Sequence, residues 1–199
     1  MKVVSITGYK GGVGKSVTAI HLATFFSELG ATLLIDGDPN GSAIAWAEQG
    51  NLPFQVVDQK GSMKAIGGNE FIVCDSPARP DSRDLKELKN GSDLLILPTI
   101  PDPVSLGPML QTTAVLDGSK YRCLIAINPP KPNRDGELMR AELRASDVPV
   151  FNTMIRRSIG FSKAALAGKP VRDLSGGDRM AWLDYQALGN EVLELLKDD

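Results

Sequence analysis

Apolar residues gather in short, nearly continuous runs at residues 2–7, 32–35, 71–74, 94–98 and 123–127, each bounded by Gly, Pro, Asp or Asn. Runs this short and unbroken suit strands buried on both faces of a parallel sheet, because a half-exposed strand would alternate with polar residues. Between them the spacing turns helical. From residue 15 to 29, Ala19, Leu22, Ala23 and Phe26 recur on one side and Gly30 stands where a C-terminal cap belongs. Further helices are predicted over residues 42–49, 81–89, 105–116, 137–145 and 185–196. The alternation predicts an α/β doubly wound, mostly parallel sheet with helices on both faces. Residues 98–108 hold four prolines and read as a shaped loop at a strand end. With no internal repeat or linker in 199 residues, one domain spanning 1–199 is expected.

The first predicted strand runs into Gly8-Tyr9-Lys10-Gly11-Gly12-Val13-Gly14-Lys15-Ser16. Two glycines flanking four residues, followed by Lys and Ser, with a strand before and a helix after, make a phosphate-binding loop of the P-loop NTPase fold. Glycines let backbone N–H groups close around phosphate oxygens, and the helix start adds partial positive charge. Lys15 balances β/γ-phosphate charge, and the Ser16 hydroxyl is placed to ligate Mg²⁺. Two carboxylate elements accompany the loop. Asp36-Gly37-Asp38-Pro39-Asn40 follows the second predicted strand, and Asp75 follows the apolar Phe71-Ile72-Val73-Cys74, as in a Walker B element.

Together these segments resemble the ParA/MinD superfamily of deviant Walker A ATPases, in its short ParA form without a separate N-terminal DNA-binding domain. The resemblance continues through Pro98-Thr99-Ile100-Pro101, Ile127-Asn128-Pro129, Val150 to Arg157 and Gly168-Lys169-Pro170-Val171. It implies a weak ATP hydrolase, stimulated by a ParB-like or cargo-adaptor partner, that closes as a homodimer around ATP. It further implies that Lys10 reaches the partner copy's phosphates, Lys15 and Asp38 act in hydrolysis, and Ser16, Asp36 and Asp75 support Mg²⁺. ATP contacts would come from Lys10, Gly11, Gly12, Val13, Gly14, Lys15, Ser16 and Val17, with Asn128, Lys169 and Pro170 at the adenine. Two departures from the family pattern stand out: Val17 where a second hydroxyl residue is common, and Asn40 where glutamine is common.

Charge bears on partners. The net charge of −2 hides an asymmetry, since residues 119–180 hold 12 of the 22 Lys+Arg but only 6 of the 24 Asp+Glu. Arg140, Arg144, Arg156, Arg157, Lys163, Lys169, Arg172 and Arg179 are candidates for a phosphate-contacting surface. Without a helix-turn-helix or zinc-finger pattern, binding to double-stranded DNA is expected to be nonspecific and the protein nucleoid-associated. Membrane is not the expected partner. No apolar run approaches the roughly 18 residues a bilayer span needs, no signal-peptide layout is present, and the sequence closes on acidic Leu195-Leu196-Lys197-Asp198-Asp199. A cytoplasmic protein is therefore expected, and a MinD-like membrane oscillator is the lesser reading. An electron-transfer ATPase of the nitrogenase iron-protein kind would need cluster-ligating cysteines, whereas Cys74 and Cys123 sit in apolar runs as expected buried thiols. A nonhydrolysing nucleotide-dependent binding module is the remaining alternative. His21, the single histidine, lies within helical spacing and is expected to pack in the core, which excludes triads and multi-histidine zinc sites.

Overall fold

The computed structural model describes residues 1–116 and 118–197; Asp198 and Asp199 of the acidic end lie outside them. Six strands form one all-parallel sheet: β1 (Lys2–Gly8), β2 (Thr32–Asp36), β3 (Gln55–Asp58), β4 (Phe71–Ala78), β5 (Leu94–Thr99) and β6 (Tyr121–Ile125), in the spatial order β3-β2-β4-β1-β5-β6. The helices are α1 (Lys15–Ser27), α2 (Ser42–Ala47), α3 (Gln59–Ala65), α4 (Ser82–Gly91), α5 (Pro103–Val115), α6 (Asp135–Ala145), α7 (Gly160–Leu166) and α8 (Trp182–Lys197). The doubly wound sheet expected from the apolar runs is thus the fold.

Both faces of the sheet are covered, which is why its central strands are apolar throughout. In β5, Leu94 and Ile96 enter one core with α1, α2 and α8, while Leu95 and Leu97 enter a second with residues of α4, α5 and α6. Adjacent side chains of a strand point to opposite faces, so each residue of such a strand needs an apolar partner layer. Helix α1 lies between sheet and α8 and is buried almost all round. At Gly189 of α8 a β-carbon would come within 2.4 Å of the Phe25 ring, so the glycine sets how closely α8 approaches α1.

Several elements depart from the expectations. The edge strand β3 is half-exposed, and α3 buries none of its residues, so neither carries an apolar period. The proline-rich segment is a loop only to Asp102, whose carboxylate accepts from the Val104 N–H and caps α5, with Pro103 in its first turn and Pro108 inside it. Strand β4 runs three residues past Asp75. Cys123 is buried as expected; Cys74 is only half-buried and lines a cavity of about 300 Å³ beside Ser5 and Ser92.

Candidate nucleotide site

The chain turns from β1 into α1 through a loop whose conformation requires glycine at two points. Gly12 and Gly14 have φ of 73° and 91°, in the left-handed region that residues with a β-carbon avoid. Gly14 is also the N-cap of α1, with no side chain capping the helix and no acid in its first turn. The first amides of α1 are thereby left to a ligand, and the helix dipole makes that ligand an anion. β1 lies between β4 and β5, with the chain leaving it first toward β2 and later extending beyond β5, so the loop opens at the crevice where the winding reverses.

Lys15 is 6% exposed, and burial lowers its ammonium pKa while Asp75 and Asp38 pull it back up. Asp36 and Asp75 face each other in the β2–β4 register, and Asp75 also stands opposite Ile6 of β1. Asp75 is 1% exposed and neither of its carboxylate oxygens has a hydrogen-bond partner among the described residues. Burial lifts its pKa to about 7, against the pull of the neighbouring Ser16 hydroxyl and Lys15. A buried carboxylate with no donor, next to a serine and a lysine, fits a site that a hard divalent cation would complete.

The other acid at this edge is already committed. Asp36 accepts the Ala43 and Ile44 N–H groups at 2.9 and 3.0 Å and the Asp38 N–H at 3.0 Å. It holds the Asp36-to-Gly41 turn and the start of α2. Asp38 is half-buried, and its Oδ1 takes both the backbone and the side-chain N–H of Asn40, at 2.9 and 2.8 Å. The family departure at Asn40 therefore orients Asp38. Lys10 does not extend outward. Its Nζ lies 3.2 Å from Asp102 Oδ2 and 3.2 Å from Ser105 Oγ, folding it onto the start of α5.

Beside the loop, Gly14, Val17, Ile127, Arg157, Ile159 and Phe161 line a cavity of about 350 Å³, an apolar recess next to the phosphate end. Its rim is held by α8. Asp184 accepts the Arg156 backbone N–H at 2.9 Å and pairs with the Arg156 guanidinium through both oxygens, at 2.6 and 2.7 Å. Seven residues along, on the same side of the helix, Glu191 takes the Asn152 and Thr153 N–H groups at 2.8 and 2.7 Å. Asn128 lines the adjoining cleft with Arg156 and Arg157, and its backbone bridges to Ile155 and Arg157. Sequence reasoning quoted Ile127, Arg156 and Arg157 without assigning them to this recess and missed Ile159, Phe161 and the α8 acids that hold the rim; no spacing motif marks them.

Lys169 and Pro170 lie elsewhere. They do not line this recess. The Lys169 carbonyl accepts from the Trp46 indole at 3.1 Å, Pro170 is buried, and the Val171 N–H donates to His21 Nε2, so the segment packs on α1 and α2. His21 is the core residue expected. It is fully buried and stacked on Tyr185, with Nδ1 2.6 Å from the Val17 carbonyl and its pKa lowered by burial to about 4.

The basic candidates differ in their partners. Arg140 and Arg144 both bond to Asn152, Lys163 pairs with Asp178 at 2.7 Å, and Arg172 pairs with Glu28 and Asp173 at the far end of α1. Arg157 and Arg179 are exposed or half-exposed and have no carboxylate partner among the described residues.

Residues 4–171 match the family model described as the CobQ/CobB/MinD/ParA nucleotide binding domain. The chain belongs to this family. Across 202 residues it is 33% identical to maintenance of carboxysome distribution protein A of Gloeobacter kilaueensis, covering 96% of this chain and 94% of that one. Among solved structures it is similar to a variant of Cyanothece McdA in complex with ATP, with a TM-score of 0.76 at 15% identity over 100% and 97% of the two chains. It is also similar to the septum site-determining protein MinD of Pyrococcus horikoshii in complex with Mg-ADP, with a TM-score of 0.72 at 20% identity over 98% and 96%. These ParA/MinD neighbours share the P-loop fold of the chain, and no helix among its described residues is long and apolar enough to cross a membrane.

Proposed function

We propose that the chain is a ParA-type positioning ATPase acting as one domain in the cytoplasm. ATP closes two copies into a homodimer that binds nucleoid DNA without sequence preference, and partner-stimulated hydrolysis reopens it. The observation that carries this reading is the pairing of an uncapped α1 and buried Lys15 with an unpartnered, buried Asp75. Such groups are unfavourable in an empty site and become favourable around a metal-bound polyphosphate. Ser16 and Asp75 would hold Mg²⁺, which when bound neutralises phosphate charge; Asp36 would keep the turn in shape. Asp38, steered by Asn40, would orient the attacking water. The 350 Å³ recess would take the nucleoside, with Val17 and Ile127 against the base and Arg157 at its rim.

Lys10 would exchange its Asp102 and Ser105 contacts for the second copy's phosphates. Its bond to a half-exposed carboxylate is weak enough to give way. The carboxysome-distribution relative supports a protein body, such as a bacterial microcompartment, as the cargo in preference to a plasmid; a ParB-like or cargo-adaptor protein would be the stimulating partner. The test is binding of the purified protein to nonspecific duplex DNA with ATP and Mg²⁺, with ADP, and without nucleotide, across a salt series. Salt-sensitive binding with ATP alone is expected. Absence of binding in all states would leave a nucleotide-binding protein and remove the DNA-based mechanism.

A further inference from the structure

Arg79 stands two positions of unfavourable chemistry away from an ordinary turn residue. Its φ is 58°, in left-handed backbone that glycine enters freely and a β-carbon resists. It is also followed by Pro80, which presses the preceding residue toward extended backbone. The conformation is fixed from outside. Pairing of β1 with β4 shifts between Ile6 and Gly8, setting Gly8 against Ala78, and the Arg79 N–H points to the Gly8 carbonyl at 3.4 Å. Strained residues persist where the surroundings over-determine them, and they gather at functional sites.

What the strain places is a cation. Arg79 lines a cavity of about 270 Å³ with Tyr9, Lys10, Val13 and Ser105, directly beside the phosphate loop. Lys10, the other cation there, is neutralised by Asp102 at 3.2 Å. Arg79 is exposed and has no carboxylate partner among the described residues, in contrast to Arg156, Lys163 and Arg172. It lies four positions beyond Asp75, at the carboxyl edge of the same sheet. A guanidinium stays charged at any working pH and offers a planar fork that matches phosphate oxygens.

We propose that Arg79 is a catalytic cation of ATP hydrolysis, whose guanidinium meets γ-phosphate oxygens as charge builds on them. In that step the oxygen of water bonds to the γ-phosphorus and the bond from that phosphorus to the β–γ bridging oxygen breaks. The electron pair stays on ADP, and the proton of the water is released with inorganic phosphate. Arg79 gains and loses no proton; it offsets charge. The phosphate comes from the chain's own ATP or from that of a second copy.

The inference rests on the ATPase reading, and the test separates the two. Native protein, Arg79→Gly and Arg79→Lys are compared for affinity for a fluorescent ATP analogue, single-turnover hydrolysis and thermal midpoint. Glycine relieves the backbone, so Arg79→Gly is expected to melt no lower than native and to bind the analogue within about threefold. Its hydrolysis is expected to be on the order of 100-fold slower, the usual loss for one preorganised charge donor. Arg79→Lys, a charge without the fork, is expected in between. Arg79→Gly hydrolysing at the native rate overturns the role of Arg79 alone, whereas native protein that hydrolyses no ATP overturns both readings. Mixing Arg79→Gly with Asp38→Ala, which keeps the phosphate loop and Arg79 and so still closes around ATP, then identifies the source. Recovered turnover assigns the guanidinium to the second copy's phosphate, and none assigns it to the chain's own.

Discussion

The phosphate-loop edge and the basic carboxy-terminal half treat charge in opposite ways. At the edge, α1 is uncapped, Lys15 is buried, and among the described residues Asp75 has no donor and Arg79 no carboxylate partner. In the later half, Arg156, Lys163 and Arg172 each rest on a carboxylate, and Arg140 and Arg144 share Asn152. The difference shows that a count of like charges says little about binding, while a group left unsatisfied at a structural cost says a good deal. DNA approaching Arg156 or Arg172 competes with bonds already made; ATP approaching the loop supplies bonds that are missing.

The contrast is most exposed at Lys15. Lys15→Ala leaves the anion site without its buried cation and is expected to weaken ATP binding by on the order of 100-fold or more, measured by calorimetry with Mg²⁺. Near-native affinity would mean that the loop is as self-contained as the basic half. His21 tests the opposite case, a buried polar group with both nitrogens partnered. Because its folded pKa is about 4, the unfolded chain takes up a proton below its ordinary value of 6.5 while the folded chain does not. Stability from this residue is complete above pH 6.5, falls as pH drops toward 4 and is level below, a loss of about 3 kcal/mol in all. Urea midpoints of native protein and His21→Gln across that range read it as a difference in slope; parallel curves would remove it. The smallest effect separates free from paired arginine. Arg157→Glu is expected to weaken DNA binding about tenfold and flatten its salt dependence by about one phosphate contact or more, with Arg172→Glu within about twofold of native. Equal losses would erase the distinction.

What the sequence made legible follows the same division. The phosphate loop, Asp36, Asp38 and Asp75 are contiguous in short segments whose spacing carries their chemistry, and the central strands announce themselves because both faces are buried. The recess beside the phosphate loop was not readable, because its walls come from Gly14, Ile127 and Phe161, brought together only by the fold. Asp184 and Glu191 appear in the sequence as ordinary polar positions of an amphipathic helix, and their partners lie 28 to 39 residues away. Lys169 and Pro170 looked like nucleotide contacts by resemblance, but the Trp46 indole and His21 draw their segment onto α1 and α2. β3 and α3 were missed because a half-exposed edge needs no apolar period.

The grip of α8 on the recess also orders events during synthesis. Lys15 and Asp75 leave the ribosome long before Asp184 and Glu191, so on a growing chain the recess beside the phosphate loop has nothing to hold its rim. The rim is held only once α8 has emerged and docked beside α1 at Gly189.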